Sequence, residues 1–283
     1  MSSAEPRRAA VLGSPVGHSL SPALHRAAYR ELGLTGWTYG AIDVGPDAVL
    51  LPGLVRDCGP EWAGFSVTMP GKAAAAAVAD EVSARVRRLH VANTLVRRMD
   101  GWFAENTDVD GVAGALRAAG VTGLRRALLI GAGGSGLAAL LALVELGVTD
   151  VVVAGRRPDS TAPARTVAAE LGIAARHADL DPARIGAVAA AVDIAVATAP
   201  AGALDGLAQP LAAAPVLFDA IYHPWPTALA AAGAADRITV TGLDMLLHQA
   251  FRQVELMTGR PAPRVVMRAA LRSAAGVELP LPI

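Results

Sequence analysis

The chain has 283 residues, of which 53% are hydrophobic and 18% are charged, and its 25 basic residues balance its 25 acidic ones. This composition supplies ample apolar material for one large core or two smaller ones, and it excludes long disordered stretches. A net charge of zero argues against a nucleic-acid partner, and a single cysteine excludes an internal disulfide and fits a cytoplasmic protein.

The first third of the chain alternates short strand patterns with helical ones. Strands are predicted at 9–12, 37–44, 64–68, 89–91, 95–98 and 102–104. A helix is predicted to begin with Ser21 as its N-cap and Pro22 as its first helical residue. Another begins at Pro46, and Thr107 is predicted to cap a helix that ends near Ala119.

From residue 124 onward the strands become continuous apolar runs separated by helices. They are predicted at 127–130, 151–154, 194–197, 216–221 and 238–240, and a last strong helix at 243–257. Strands that are apolar on both faces predict a parallel sheet covered by helices on both sides. The stretch 127–144 is uncharged and as long as a membrane span. Four glycines interrupt it, so we expect a strand, a turn and a packed helix, and no membrane association.

The fold class is therefore predicted to be α/β, with two α/β domains. Residues 1–105 plus 242–283 are expected to form one domain. Residues 106–241 are expected to form the other, with a Rossmann-type doubly wound parallel sheet.

A glycine-rich turn follows the strand at 127–130 and precedes a helix. Its residues are Gly131, Ala132, Gly133, Gly134, Ser135 and Gly136. Glycines allow a tight turn and close backbone approach to a pyrophosphate, and the following helix N-terminus favours an anion. The next strand ends in Arg156 and Arg157 with no acidic residue. Two cations there favour the 2′-phosphate of NADP over the ribose hydroxyls of NAD, although an ordinary glycine turn and two surface arginines are the alternatives.

Polar residues in apolar surroundings cluster at strand ends and loops of the first domain. They are Ser19, Ser21, Thr68, Lys72, Asn93 and Asp108, with Gln249 on the last strong helix. Hydroxyls, amides, one cation and one anion suit a small polyhydroxylated anion. Each residue taken singly has a structural alternative, such as helix capping by Ser21 or Asp108. The six histidines are scattered without zinc spacing, so no metal site is expected.

These motifs together resemble the shikimate dehydrogenase family, which includes shikimate and quinate dehydrogenases, over nearly the whole chain. The matching segments are 13–22, 65–72, 92–94, 106–108, 131–136, 219–227 and 242–249. The resemblance implies that Lys72 and Asp108 are catalytic, and that Ser19, Ser21, Thr68, Asn93, Asp108, Tyr222 and Gln249 bind substrate. It also implies cofactor binding by Ala220 and Gly242, in addition to the glycine-rich turn and the two arginines. Ser66 stands where the family usually has Asn, and Gly155 replaces an Asn before Arg156.

The function implied by the resemblance is reversible, NADP-dependent reduction of 3-dehydroshikimate to shikimate. Residues 1–105 plus 242–283 are then expected to be the substrate-binding and catalytic domain, and residues 106–241 the NADP-binding domain. We expect a small-molecule substrate, a cytoplasmic location and a monomer or homodimer. A quinate or aminoshikimate dehydrogenase on the same fold is one alternative. A dinucleotide-binding regulatory protein without activity is another, but it would have no need for both Lys72 and Asp108. The residues leave open which of these two makes the net proton transfer.

Overall fold

A computed structural model of the chain describes residues 5–278 and 280–283. The chain divides into two compact units. Unit 1 comprises the residues up to Asp110 together with Leu246–Leu281 and Ile283, and unit 2 comprises Gly111–Met245 and Pro282. The roles expected for the two domains, substrate binding and NADP binding, stay predictions.

Unit 1 is built on a mixed six-stranded sheet. Its strands are β1 (Arg8–Gly13), β2 (Thr38–Asp43), β3 (Trp62–Val67), β4 (Glu81–Val82), β5 (Thr94–Arg98) and β6 (Gly101–Glu105), in the order β2-β1-β3-β5-β6-β4. Strand β1 pairs in parallel with β2 and β3, whereas β5 pairs antiparallel with β3 and β6. The carboxyl ends of β1 and β3 therefore lie side by side, and the loops that follow them carry predicted site residues.

Helices cover the sheet of unit 1. They are α1 (Ser21–Glu31), α2 (Leu51–Asp57), α3 (Lys72–Val78), α4 (Ala84–Leu89) and α12 (Arg264–Ala275), with the start of α5 (Asp108–Ala118) and most of α11 (Gly242–Thr258). All six residues of β3 are buried, and Phe65 packs with Leu12 and Trp102 in one hydrophobic cluster. This core fixes the ends of β1 and β3, from which the candidate site is built.

Two local predictions for unit 1 are wrong. The strand predicted at 89–91 is instead the end of α4, because Ser83 caps that helix by accepting a hydrogen bond from Val86 N (3.1 Å) and His90 ends it at φ 55°. Ser21 is not an N-cap. The backbone is already helical at Leu20, so Ser21 is the first helical residue and its side chain makes no capping hydrogen bond.

Unit 2 contains a second six-stranded sheet. Its strands are β7 (Arg126–Ile130), β8 (Asp150–Gly155), β9 (Ala174–Asp179), β10 (Ile194–Ala197), β11 (Val216–Asp219) and β12 (Ile238–Thr241), in the order β12-β11-β10-β7-β8-β9. Every pairing is parallel. The helices between them are α6 (Gly134–Glu145), α7 (Pro158–Glu170), α8 (Pro182–Ala190), α9 (Ala208–Leu211) and α10 (Ala228–Ala231).

This strand order is that of a Rossmann fold, in which the order of the strands reverses between β7 and β10 while all strands stay parallel. The predicted α/β class with a doubly wound parallel sheet is confirmed. The strand predicted at 216–221 ends at Asp219, whose Oδ1 accepts a hydrogen bond from Ile221 N (3.1 Å) and turns the chain. Strand β9 was not predicted, because its exposed and half-buried residues lack an apolar run.

Within the described part of the chain, no helix combines the length and apolarity required to cross a membrane. Nor do the described residues contain a group of three or more His, Cys, Asp or Glu side chains arranged to hold a metal ion.

Candidate functional site

The two predicted catalytic residues form an ion pair in unit 1. Lys72 is the first residue of α3, directly after the turn that ends β3, and Asp108 is the first residue of α5. Lys72 Nζ lies 2.5 Å from Asp108 Oδ2, and the side chains are 15% and 8% exposed. The pair is thus largely shielded from water while the ammonium keeps a small accessible surface.

Asn93 holds the second oxygen of Asp108. Its Nδ2 donates to Asp108 Oδ1 (2.8 Å) and lies 3.4 Å from Gln249 Oε1. Its Oδ1 accepts from the backbone N of Thr107 (2.7 Å) and from Thr94 Oγ1 (2.9 Å). Because the backbone N–H can only donate, it fixes the Asn93 amide with its nitrogen toward Asp108.

Gln249 joins the same cluster from helix α11. Its Nε2 donates to the backbone oxygen of Leu246 (3.0 Å), and its Oε1 accepts from Thr107 Oγ1 at 3.4 Å. The structure therefore brings four predicted residues into one hydrogen-bonded cluster, which we call the catalytic cluster. Its members are Lys72, Asp108, Asn93 and Gln249.

The three predicted hydroxyl residues lie near the carboxyl ends of β1 and β3. Ser19 and Ser21 are in the loop and first helical turn after β1, where Ser19 Oγ accepts from Ser21 N at 3.3 Å. Thr68 directly follows β3, and its backbone N donates to Leu12 O (2.8 Å). Within the described residues, none of these hydroxyls forms a hydrogen bond to the catalytic cluster, so their role in substrate binding stays a prediction.

Tyr222 belongs to unit 2 and not to the unit of the catalytic cluster. It lies beside two residues predicted to contact the cofactor. A Cβ built on Gly242 would meet the backbone oxygen of Ala220 at 2.1 Å and Tyr222 Cδ1 at 2.9 Å. Only glycine fits this close approach, which brings the end of β12 next to the segment after β11. Burial raises the pKa of the Tyr222 hydroxyl above its usual value, so the group is a neutral hydrogen-bond donor.

The glycine-rich turn has the geometry of a phosphate cradle. Gly131 has φ +102°, which L side chains rarely adopt, and a Cβ on Gly136 would lie 2.2 Å from Gly131 O. Gly133 is the N-cap of α6, and nothing lies within 4 Å of the place where its Cβ would be. The turn thus closes tightly on one side and is open on the other, next to the amide groups of a helix N-terminus. An open glycine turn beside the free amide groups of a helix N-terminus is an arrangement that binds a pyrophosphate.

Arg156 and Arg157 directly follow β8 and are both exposed. Arg157 is also the N-cap residue of α7, and its side chain makes no capping hydrogen bond. Within the described residues, neither side chain forms an ion pair. The adjacent strand ends in Asp179, whose Oδ2 lies 3.6 Å from Arg184 Nη1. Two exposed cations at this point fit a 2′-phosphate.

Sequence reasoning missed a second layer of polar residues behind the catalytic cluster. These are Tyr39, Ser66, Thr94 and Gln253, all buried, together with His25. Burial lowers the pKa of His25 to about 3, so its imidazole is neutral. One signal was available, since Gln249 and Gln253 are four residues apart and therefore share one face of an apolar helix.

Comparison with known proteins matches this chain to one family. Residues 11–95 match the shikimate dehydrogenase substrate binding domain, and residues 242–272 match the shikimate 5′-dehydrogenase C-terminal domain. A relative from Anaeromyxobacter dehalogenans, a shikimate dehydrogenase (NADP(+)), is 37% identical over 274 residues. The match covers 95% of this chain and 96% of that protein.

Solved structures agree with the sequence matches. Mycobacterium tuberculosis shikimate dehydrogenase superposes with a TM-score of 0.89 at 50% identity, covering 95% of this chain and all of that one. The Thermus thermophilus shikimate 5-dehydrogenase, in complex with NADP(H) and shikimate, superposes with a TM-score of 0.80 at 32% identity, covering 95% and 99% of the two chains.

Proposed function

This chain belongs to the shikimate dehydrogenase family, and we propose that it catalyses the reversible NADP-dependent reduction of 3-dehydroshikimate to shikimate. The observation that carries the proposal is the largely shielded ion pair of Lys72 and Asp108, held by Asn93 next to Gln249. An ammonium, a carboxylate and two amides in one cluster suit a substrate with a ketone and several ring hydroxyls.

Lys72 is the only lysine in the chain, which has 24 arginines. A guanidinium stays protonated in proteins, whereas an ammonium can release a proton. Apart from the histidines, every other basic residue of the chain is an arginine. A lysine at position 72 therefore supports a role in proton transfer, and not only a role as a positive charge.

In the proposed reaction a hydride is added to the ketone carbon and a proton to the ketone oxygen. Bound NADPH supplies the hydride. Lys72 Nζ donates a hydrogen bond to the ketone oxygen and stabilises the negative charge that develops there. The Lys72–Asp108 pair then delivers the proton. Asp108 orients the ammonium through Oδ2, while Asn93 keeps Oδ1 in place.

The remaining polar residues bind and orient the substrate in this proposal. Gln249 and Asn93 offer amide groups to the ring hydroxyls. Ser19 and Ser21 bind the ring carboxylate, and Thr68 and Tyr222 add further hydroxyl contacts. Orientation of this kind lowers the entropic cost of reaching the transition state.

NADP binding is proposed for the glycine-rich turn and the two arginines of unit 2. Residues 131–135 would hold the pyrophosphate, since the space above Gly133 is open and the α6 amides point there. Arg156 and Arg157 would bind the 2′-phosphate. Ala220 and Gly242, which approach each other closely, would contact the nicotinamide end of the cofactor.

The proposal also includes a cytoplasmic location and a monomeric or homodimeric state. A single half-buried cysteine supports a reducing compartment. Size-exclusion chromatography with light scattering distinguishes the two oligomeric states.

The decisive experiment is steady-state kinetics of purified protein with shikimate or quinate and with NADP+ or NAD+. Lys72→Ala is expected to lower kcat by roughly 10²–10⁴, the usual contribution of a positioned acid–base group. Lys72→Arg keeps the charge and is expected to lose nearly as much. Arg98→Lys, on an exposed ion pair with Glu81, is the matched control and should keep the wild-type kcat.

Two results would contradict parts of the proposal. If Lys72→Arg kept more than half of kcat, positive charge alone would suffice and Lys72 would not transfer a proton. Turnover of quinate in preference to shikimate would make the proposed substrate wrong while leaving the role of the ion pair intact.

A further inference from the structure

A continuous chain of buried hydrogen bonds runs through unit 1 and ends at Asp108. Its links are Tyr39 Oη to Ser66 Oγ (2.6 Å), Ser66 Oγ to Gln253 Oε1 (2.7 Å), Gln253 Nε2 to Thr94 Oγ1 (2.9 Å), Thr94 Oγ1 to Asn93 Oδ1 (2.9 Å) and Asn93 Nδ2 to Asp108 Oδ1 (2.8 Å). All six residues are buried. We call this series the relay. Gln253 stands at its centre, yet forms no hydrogen bond with either member of the catalytic pair.

One atom that can only accept fixes the orientation of Gln253. Its Nε2 lies 3.3 Å from the backbone oxygen of Asn93, so the nitrogen of the amide must face that carbonyl. Its Oε1 therefore faces Ser66 and the Nε2 of His25, 3.3 Å away. Ser66 must donate to this oxygen, and the neutral Tyr39 hydroxyl, whose pKa burial raises, donates to Ser66 in turn.

The orientation of Gln253 determines the direction of the next link. Thr94 Oγ1 accepts a hydrogen bond from Gln253 Nε2, so its own hydroxyl hydrogen is available for donation to another acceptor. That proton points to Asn93 Oδ1 at 2.9 Å or to Thr107 Oγ1 at 3.1 Å. Thr107 Oγ1 itself lies 3.1 Å from Asn93 Oδ1 and 3.4 Å from Gln249 Oε1, so the nearest acceptor on either route is Asn93 Oδ1.

Asn93 connects these hydrogen bonds to the catalytic pair of Lys72 and Asp108. With its oxygen bound by donors on one side, its Nδ2 faces Asp108 Oδ1 and leaves Oδ2 for Lys72. Directional hydrogen bonds in a buried network polarise one another, so loss of one link weakens its neighbours. A defect at Gln253 is therefore expected to loosen Asp108 and Lys72 without removing any group that touches substrate.

We propose that Gln253 is a positioning residue: it directs the Thr94 hydroxyl onto Asn93 Oδ1, which adds to the hydrogen bond from the Thr107 backbone, and so helps Asn93 hold the Lys72–Asp108 pair in its reactive geometry. The proposal rests on the proposed function for its kinetic readout. A substitution at Gln253 should lower kcat and leave the KM for NADPH unchanged, because the cofactor residues belong to unit 2.

The test compares wild type with Gln253→Met, Thr94→Val and the double variant. Methionine keeps the length of glutamine without its hydrogen bonds, and valine keeps the shape of threonine without its hydroxyl. Loss of one neutral hydrogen bond corresponds to about three- to tenfold in rate, so each single variant should lose at least about threefold in kcat. The fold-decrease in kcat of the double variant should be no more than twice that of the more impaired single variant, since both substitutions act through the same hydrogen bond.

Thr258→Val is the matched control. It also removes side-chain hydrogen bonds at α11, from Thr258 Oγ1 to Val254 O (2.7 Å) and from Arg260 N to Thr258 Oγ1 (3.2 Å), but lies outside the relay. Its kcat should equal that of wild type. A loss of less than threefold in kcat for Gln253→Met, or a double variant in which the two losses multiply, would overturn the proposal. If Gln253→Met failed to fold, the loss of kcat in Thr94→Val relative to Thr258→Val would decide it.

A spectroscopic readout is independent of turnover. Because Lys72 is the only lysine, protein labelled with 13C at lysine Cε gives one methylene signal that needs no assignment. That signal should shift in Gln253→Met and Thr94→Val and stay at its wild-type position in Thr258→Val. An unshifted signal in Gln253→Met would refute positioning of Lys72. Absence of shikimate turnover in wild type would refute only the proposed function.

Discussion

Alanine substitutions at two glycines of the turn after β7 are expected to differ in their effect on stability. Both are expected to weaken cofactor binding. In Gly136→Ala the new Cβ would lie 2.2 Å from Gly131 O and 3.1 Å from Thr198 Oγ1. Non-bonded heavy atoms rest near about 3.5 Å, so the backbone at Gly131 must move by roughly 1 Å. Overpacking of this kind costs about 1–3 kcal/mol. For a unit of this size, that lowers Tm by roughly 3–10 °C.

Gly133→Ala places its methyl group in open space, since no atom lies within 4 Å. The backbone at Gly133, with φ −77°, suits alanine as well as glycine, so the Tm of the cofactor-free protein should change by less than about 2 °C. The methyl group would, however, stand where the proposed pyrophosphate comes closest. Both variants should therefore raise the Kd for NADP+ by about tenfold or more, the equivalent of about 1.4 kcal/mol.

Differential scanning calorimetry and titration calorimetry with NADP+ measure the two effects separately. Gly206→Ala, in the same unit and with no atom near its Cβ, is the neutral control for both. The KM for shikimate should stay at its wild-type value in all three variants. An unchanged Kd for NADP+ in Gly133→Ala would refute the cofactor role of the turn. A wild-type Tm in Gly136→Ala would refute the steric reasoning.

Three further predictions concern the phosphate site, the substrate contacts and a buried histidine. Arg156→Ala should raise the KM for NADPH about tenfold to a hundredfold and leave that for NADH nearly unchanged, because NADH has no 2′-phosphate; equal effects on both cofactors in steady-state kinetics would contradict this. Gln249→Ala and Ser21→Ala should each weaken shikimate binding by about 1–3 kcal/mol in calorimetry while NADP+ affinity stays constant. Burial lowers the pKa of His25 to about 3, so the unfolded chain takes up a proton first as the pH falls below about 6.5, and native stability is lost from there toward pH 3. Between pH 7 and pH 5 this should cost wild type about 2 kcal/mol more than His25→Phe in urea titrations, and equal losses would show that His25 does not titrate as proposed.

The fold of unit 2 follows from sequence because its signals are local. The strand at 127–130 is apolar on both faces, and the glycine turn and helix after it can be identified within about 20 residues. Strand β9 is different, because it lies at the edge of the sheet and alternates exposed with half-buried residues such as Arg176 and Asp179. An edge strand with polar residues carries no strong apolar period, and only pairing with β8 makes it a strand.

In unit 1, short apolar runs are ambiguous between helix and strand. Leu89 and Val91 flank a histidine in a pattern that fits two strand positions, but the helix capped by Ser83 extends through Leu89. The capping hydrogen bond from Val86 N to Ser83 Oγ is a local feature, so this helix start could have been identified. The φ of 55° at His90, which ends the helix, could not, because few non-glycine residues adopt it.

In the candidate site, too, residues within local motifs could be predicted from sequence, whereas contacts between distant segments could not. Lys72 and Asp108 could be selected because a cation and an anion stand at an element boundary within recognisable motifs, and their side chains meet in the structure. Ser66 and Gln253 are 187 residues apart, and their hydrogen bond depends on how α11 packs on β3. No local pattern encodes such a contact.

Composition nevertheless contains information about the site that motifs do not. In this chain 24 positions carry arginine and only one carries lysine, so arginine is used wherever a positive charge alone is needed. At position 72 the compact ammonium stays 2.5 Å from one carboxylate oxygen, while the relay occupies the other. A planar guanidinium would reach for both oxygens at once and compete with Asn93. The single lysine and the amide network that ends on Asp108 therefore depend on each other, because each leaves one carboxylate oxygen to its partner.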